Sequence, residues 1–149
     1  MRFTVDSNIL VYAVDTGAGA RNEAASGLMA RATSSDCVLT VQSLAEFFYA
    51  TTRKGKLPAA KAETFIERWR AVFPVHAASE HTLADAIQVV RQSSLSFWDA
   101  MLWGVAKQAS CSLLLSEDLH DGQTIGGVRI VNPFARKNAV LMDAILPPV

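Results

Sequence analysis

The stretch TVDSNIL, residues 4–10, places a carboxylate, Asp6, where a short apolar segment gives way to a second one. The residues RFTV before it predict a buried strand, and NILVYAV after it predicts a helical segment. An acid at such a junction is a common helix N-cap. It is also the position at which an α/β sheet binds ligands, if other polar residues end neighbouring strands. The interpretation of Asp6 therefore depends on where the other acids of the chain lie.

Strands and helices alternate along the rest of the chain. CVLTV (37–41), CSLLLS (111–116) and VRIV (128–131) are continuously apolar, which is typical of parallel strands covered by helices on both faces. PVHA (74–77) is a weaker strand candidate, and EDLHDGQTIGG (117–127) is predicted to be a polar loop. We therefore expect a three-layer α/β/α sandwich with a central, mainly parallel sheet, formed by residues 1–149 as one domain.

Composition excludes some classes of function. The chain has 149 residues, half of them hydrophobic, and 14 basic residues balance 14 acidic ones. The net charge of zero does not indicate nucleic-acid binding, although a local patch or a bound metal could still provide it. Without an apolar run of about twenty residues or a signal peptide, a cytoplasmic protein with no membrane span is expected. Cys37 and Cys111 are expected to be buried thiols rather than a disulfide.

Four acids share one kind of position. Asp6 and Asp118 each follow an apolar strand, and Glu46 and Asp99 each lie near the start of a helix. Strand ends and the following helix starts meet at one edge of a parallel sheet, so the four carboxylates are expected to meet in one cleft. Four like charges require compensation, and oxygen-only ligands favour Mg²⁺ or Mn²⁺. Such a centre is typical of phosphate chemistry.

Each acid also has a purely structural interpretation. Glu46 follows Ser43, and Asp99 follows Ser96, at the spacing of a capping box. Asp6 could cap a helix and Asp118 could be a loop residue. Only the shared edge favours a site over four separate structural roles.

Four motifs in order, TVDSNILVY (4–12), SLAEFFYATTRKG (43–55), LSFWDAMLWGVAKQASC (95–111) and LLLSEDLHDG (113–122), resemble the PIN-domain family and, within it, the VapC-type toxin ribonucleases. The resemblance implies Mg²⁺- or Mn²⁺-dependent cleavage of RNA, a cognate antitoxin as partner and a homodimer. It assigns the roles of catalytic acids to Asp6, Glu46, Asp99 and Asp118, with Asn8 and Ser116 as supporting polar residues. Of the acids, Asp6 and Asp99 are expected to hold the metal most directly.

The fourth acid has two rivals, Glu117 and Asp121. Asp118 is preferred because it lies two residues after Ser116, as in the family pattern. A phosphatase of the haloacid-dehalogenase type is disfavoured because it needs a second Asp at the position of Asn8. A non-catalytic binding module remains the other alternative.

Other residues receive structural interpretations. Trp98 and Trp103 are expected to be packing residues, although Trp98 could border the cleft. His120 is expected on the surface. Arg53, Lys54 and Lys56 are expected to form a solvated helix end that could also bind phosphate groups.

Overall fold

The computed structural model describes residues 1–53 and 56–148. Lys54 of the predicted basic run and Gly55, the last residue of the second motif, lie outside these residues. The strands are β1 (Phe3–Val5), β2 (Cys37–Thr40), β3 (Val75–His76), β4 (Leu113–Leu115), β5 (Thr124–Ile125) and β6 (Val128–Val131). The helices are α1 (Ser7–Val14), α2 (Ala20–Ala32), α3 (Val41–Thr52), α4 (Ala59–Val72), α5 (Glu80–Gln92), α6 (Phe97–Gln108) and α7 (Ala139–Ile145), with short 3-10 turns at Thr16–Ala18 and Arg136–Asn138.

The six strands form one sheet in the order β3-β2-β1-β4-β6-β5. All pairings are parallel except that of β5 with β6, which is antiparallel. The mainly parallel sheet is therefore confirmed. The expectation of a plain loop at residues 117–127 was wrong in part, because Thr124 and Ile125 pair with β6 as an edge strand.

Helices cover both faces of the sheet, which confirms the three layers. Phe3 and Val5 of β1 face a core shared with α1, α2, α3, α4 and α7. Leu114 of β4 and Ile130 of β6 face the opposite core, formed with α5 and α6. Successive strand side chains point to opposite faces, so a strand buried on both must be apolar throughout.

Chain order reverses at β1, and this reversal creates a crevice at the carboxyl ends of the strands. The chain runs from β1 to β2 and β3 on one side, and β4 then pairs with the other side of β1. The carboxyl ends of β1 and β4 consequently flank a topological switch point, where α/β sheets bind ligands. Asp6 follows β1 and Ser116 follows β4 at this point.

The two cysteines agree with the sequence interpretation. Cys37 and Cys111 are buried free thiols, and burial raises the pKa of Cys111 to about 11. No helix within the described ranges has both the length and the apolar character needed to cross a membrane.

Candidate active site

Asp6 is the buried centre of the site. It caps α1, and its Oδ1 accepts a hydrogen bond of 2.7 Å from the Ser7 backbone N–H. Its Oδ2 accepts one of 2.8 Å from the Ser116 hydroxyl, while only 7% of the residue is exposed. Burial raises the pKa of Asp6 to about 6, against the effect of these two hydrogen bonds, and the charges of Glu46 and Asp99 raise it further. Asp6 therefore both caps a helix and lies within the electrostatic reach of two other predicted acids.

Asn8 joins the ends of β1 and β4. Its side-chain amide donates to Asp118 at 3.1 Å, to the Ser116 hydroxyl at 3.3 Å and, more weakly, to Asp6 at 3.4 Å. The Ser116 hydroxyl also accepts from the Asp118 backbone N–H at 3.1 Å. The two predicted supporting residues thus connect the first acid to the fourth.

Glu46 lies on the exposed side of the site, and its predicted capping box was wrong. The N-cap of α3 is Thr40, whose hydroxyl accepts from the Ser43 backbone N–H, because the helix begins at Val41. Ser43 is fully buried and its hydroxyl donates to the Val5 carbonyl at 2.9 Å. Since Ser43 is inside the helix, Glu46 cannot be its capping partner.

The Glu46 carboxylate instead binds two polar side chains near the site. Ser7 donates to one oxygen at 3.1 Å, and Gln42, one helical turn earlier, donates to the other at 2.8 Å. Gln42 also donates to the Trp98 carbonyl at 2.9 Å, which ties α3 to the start of α6. Sequence reasoning missed Ser7 and Gln42. Their signals were adjacency to Asp6 and the i,i+4 spacing to Glu46.

Asp99 lies in the first turn of α6 and is half-buried. Its backbone N–H donates to Ser96, the N-cap, at 3.3 Å, as the capping signature predicts. Capping uses the Asp99 backbone and leaves its carboxylate charge to act on Asp6.

The two rivals of Asp118 are engaged elsewhere. Glu117 accepts from the Tyr12 hydroxyl at 2.9 Å and pairs with Arg21 at 2.7 Å. Asp121 accepts from the Asn132 backbone N–H at 2.9 Å and pairs with Lys137. Burial alone would raise the pKa of Asp121, but these contacts and a hydrogen bond from Asn138 lower it. Both rivals therefore hold the loop after β4 in place, and the exposed Asp118 points to Asn8.

The aromatic prediction was half right. Trp103 is buried, and its indole N–H donates to the Ile125 carbonyl at 2.8 Å. Trp98 is not a packing residue: 65% of it is exposed, and its ring contacts that of Phe97 at a centroid distance of 5.0 Å. His120 is exposed, as expected.

The donor set suits a hard divalent cation. In residues 1–53 and 56–148, no three His, Cys, Asp or Glu side chains already converge closely enough to bind a metal ion. Mg²⁺ keeps several of its waters and is commonly held by only one or two carboxylates, so preformed three-fold convergence is not required. A divalent cation bound here would stabilise the charged form of the buried Asp6 carboxylate, on which the charges of Glu46 and Asp99 also act. Oxygen donors without thiolate or imidazole favour Mg²⁺ or Mn²⁺ over Zn²⁺.

Comparison with known proteins identifies the family. The family model described as PIN domain matches residues 3–120. The chain belongs to the PIN-domain family. The matched residues include all four predicted acids and both supporting residues. A comparison with curated protein sequences found no match.

Solved PIN-like structures share the fold at low sequence identity. The chain resembles the Mycobacterium tuberculosis VapC20 toxin, described as cleaving the Sarcin-Ricin loop, with 20% identity, a TM-score of 0.61 and coverage of 75% of this chain and 86% of that one. It resembles a chain of a toxin-antitoxin complex from Klebsiella pneumoniae with 18% identity, a TM-score of 0.63 and coverage of 88% and 97%. It resembles a chain of DNA-bound VapBC from Salmonella typhimurium with 17% identity, a TM-score of 0.61 and coverage of 87% of this chain and 96% of that one.

Proposed function

We propose that this PIN-domain protein is a metal-dependent endoribonuclease that hydrolyses RNA phosphodiesters, and that it is the toxin of a toxin–antitoxin pair. The observation that carries the proposal is the environment of Asp6. The charges of Glu46 and Asp99 raise the pKa of its buried carboxylate. The Asn8 amide donates hydrogen bonds to both Asp6 and Asp118. Separate helix caps would not need to lie together at one edge of the sheet.

In the proposed site, Asp6 and Asp99 hold Mg²⁺ or Mn²⁺. When bound, such an ion polarises the phosphoryl oxygen and acidifies a water molecule. Glu46 is exposed to solvent and orients the attacking water from its side of the site, and its carboxylate can accept a proton from that water. Asp118 completes the negative cluster on the β4 side. Asn8 and Ser116 fix the direction of the Asp6 and Asp118 carboxylates through the hydrogen bonds described above.

The alternatives make different demands on the same residues. In the haloacid-dehalogenase type of phosphatase, the residue two positions after the first acid must give up a proton. Here that position is Asn8, whose amide donates to Asp118 and Ser116. A non-catalytic binding module would not need four acids, and all four are retained. Neither alternative has an observation in its favour.

The partners are part of the proposal. Two of the similar structures are a toxin-antitoxin complex and a DNA-bound VapBC, which supports an antitoxin as the partner of this chain. We also propose a homodimer and a cytoplasmic location. On α5, Leu83, Ile87 and Val90 form an exposed apolar stripe at helical spacing that a second copy could cover.

The decisive experiment is cleavage of structured RNA by the purified chain, free of antitoxin, in Mg²⁺ or Mn²⁺ and in EDTA. Cleavage is expected with either metal and is expected to stop in EDTA. Asp99→Asn should abolish it. Asp15→Asn, an exposed acid that caps only the turn at Thr16–Ala18, is the matched control and should cleave at the wild-type rate. Undiminished cleavage in EDTA would refute the metal mechanism.

A further inference from the structure

An open groove extends from Glu46 along the exposed face of α3. It has a volume of about 460 Å³ and is lined by Ser7, Ala45, Glu46, Tyr49, Ala50 and Arg53. Ser7 and Glu46 form its end at the acidic site, and Arg53 caps the helix at its other end. The groove is therefore continuous with the proposed catalytic residues but extends well beyond them.

Tyr49 and Arg53 form an exposed aromatic and cationic pair in this groove. Tyr49 lies three residues after Glu46, and Arg53 four residues later, so all three share one face of the helix. The Tyr49 residue is 66% exposed. The Arg53 guanidinium carbon lies 5.7 Å from the centre of its ring. Two other lining residues of the groove, Ala45 and Ala50, have small side chains that leave the Tyr49 ring accessible.

The charge of Arg53 is available to a ligand. Within residues 1–53 and 56–148, Arg53 forms no salt bridge, although Glu46 lines the same groove. A free guanidinium beside an exposed ring suits a ligand that combines a flat, unpaired base with a phosphate group.

A second exposed aromatic residue lies on the other side of Glu46. Gln42 connects the Glu46 carboxylate to the carbonyl of Trp98, and the Trp98 residue is 65% exposed. Glu46 thus has an accessible ring on either side. Nucleases and single-strand binders use such rings because every base has a face that can stack on them.

We propose that the groove binds an unpaired nucleotide of the RNA substrate, with its base stacked on Tyr49 and an adjacent phosphate held by Arg53. This inference rests on the proposed ribonuclease function. It assigns to Tyr49 and Arg53 contacts with the substrate that lie outside the four acids. The Tyr49 subsite would then select which stretch of an RNA reaches the acids, because a base in a continuous duplex has no free face.

The first test measures binding by fluorescence anisotropy in Ca²⁺, which neutralises the acidic cluster. The probes are a labelled single-stranded RNA of mixed sequence and the blunt duplex of the same sequence. Tyr49→Ala should bind the single strand roughly 5- to 100-fold more weakly, as loss of one stacking contact predicts. Its duplex affinity should stay unchanged. Tyr49→Phe keeps the ring and should bind like the wild type.

The second variant separates the phosphate contact from stacking. Arg53→Gln should weaken binding of all single-stranded sequences alike and reduce the dependence of log K on log[salt] by about 0.7. If the wild type binds the single strand and Tyr49→Ala binds it equally well, the subsite is refuted while the ribonuclease proposal stands. If Tyr49→Ala loses equal affinity for the single strand and the duplex, the subsite is also refuted. If the wild type binds and cleaves no RNA, both proposals fail.

Discussion

The side-chain amide of Asn8 lies 3.1 Å from a carboxylate oxygen of Asp118, although the two residues are 110 positions apart in the chain. The same amide group lies 3.4 Å from Asp6. A neutral donor therefore separates two acids that would otherwise repel each other. An Asn at this position stabilises both acids by donating hydrogen bonds to them, whereas an Asp would add a third negative charge.

Asn8→Asp should make the metal-free protein less stable. It replaces the donor with a third carboxylate, so the free energy of unfolding in EDTA should fall by about 1–3 kcal/mol. Asn8→Ala removes the donor without adding charge and should have a smaller effect. Urea denaturation in EDTA and in Mg²⁺ measures both. Mg²⁺ should stabilise Asn8→Asp more than the wild type, and an Asp variant as stable as the wild type in EDTA would show that the acids do not repel.

The raised pKa of Asp6 predicts a pH-dependent stability. Its value of about 6 in the folded chain exceeds the ordinary 3.8, so folding favours the protonated form. The stabilisation is complete below the ordinary pKa and is lost as the pH rises through the folded value. In EDTA, Asp6 should therefore lower the free energy of unfolding by about 1–2 kcal/mol between about pH 5 and about pH 7.5.

Asp6→Asn isolates this effect, since Asn can also cap α1. The variant should be more stable than the wild type by about 3 kcal/mol at neutral pH in EDTA, with a difference that shrinks toward low pH. It should be inactive at every pH. A constant difference across the pH range would mean that Asp6 keeps its ordinary pKa.

Glu46 can be tested separately from the cap of α3, because the cap is Thr40. Glu46→Gln keeps the size of an exposed side chain and removes only its charge. Melting temperature should change little, while the initial cleavage rate should fall by roughly 10²- to 10⁴-fold. Thr40→Val is the reverse control: it removes the cap, costs about 1 kcal/mol of stability and leaves activity intact. If Glu46→Gln cleaves at the wild-type rate, the proposed site has three acids.

Sequence patterns predicted the features that depend on many residues at once. The continuous apolar strands, for example Leu113–Leu115, were sufficient to predict a covered parallel sheet. They could not predict β5, because a two-residue edge strand has no hydrophobic period and depends on its partner β6. The capping box failed for a related reason. Thr40 ends a strand and also caps a helix, and a pattern search that assigns each residue to one element places the helix start too late.

Side-chain direction was the other feature that spacing alone could not predict. Glu117, Asp118 and Asp121 lie within five positions, and only tertiary contacts separate them. Tyr12 and Arg21, from α1 and α2, engage Glu117, and no local pattern indicates that contact. Trp98 illustrates the same limit, since a large aromatic residue beside a buried helix is expected inside and lies outside.

Glu117, Asp118 and Asp121 provide the last prediction, in which one variant should lose cleavage and the other two should lose stability. Asp118→Asn removes an exposed charge next to Asn8, so stability should be unchanged or higher while the cleavage rate falls roughly 10- to 100-fold. Glu117→Gln removes the charge that pairs with Arg21 and should lower the free energy of unfolding by about 1 kcal/mol with cleavage intact.

Asp121→Asn should also be active but less stable at neutral pH. Because the pKa of Asp121 is lowered, its stabilisation is present above the ordinary pKa and is lost as the pH falls, so this deficit should disappear in acid. Cleavage rate and melting temperature for the three variants, at neutral and acidic pH, provide the comparison. A Glu117→Gln or Asp121→Asn variant that keeps its stability and loses cleavage would replace Asp118 as the fourth acid.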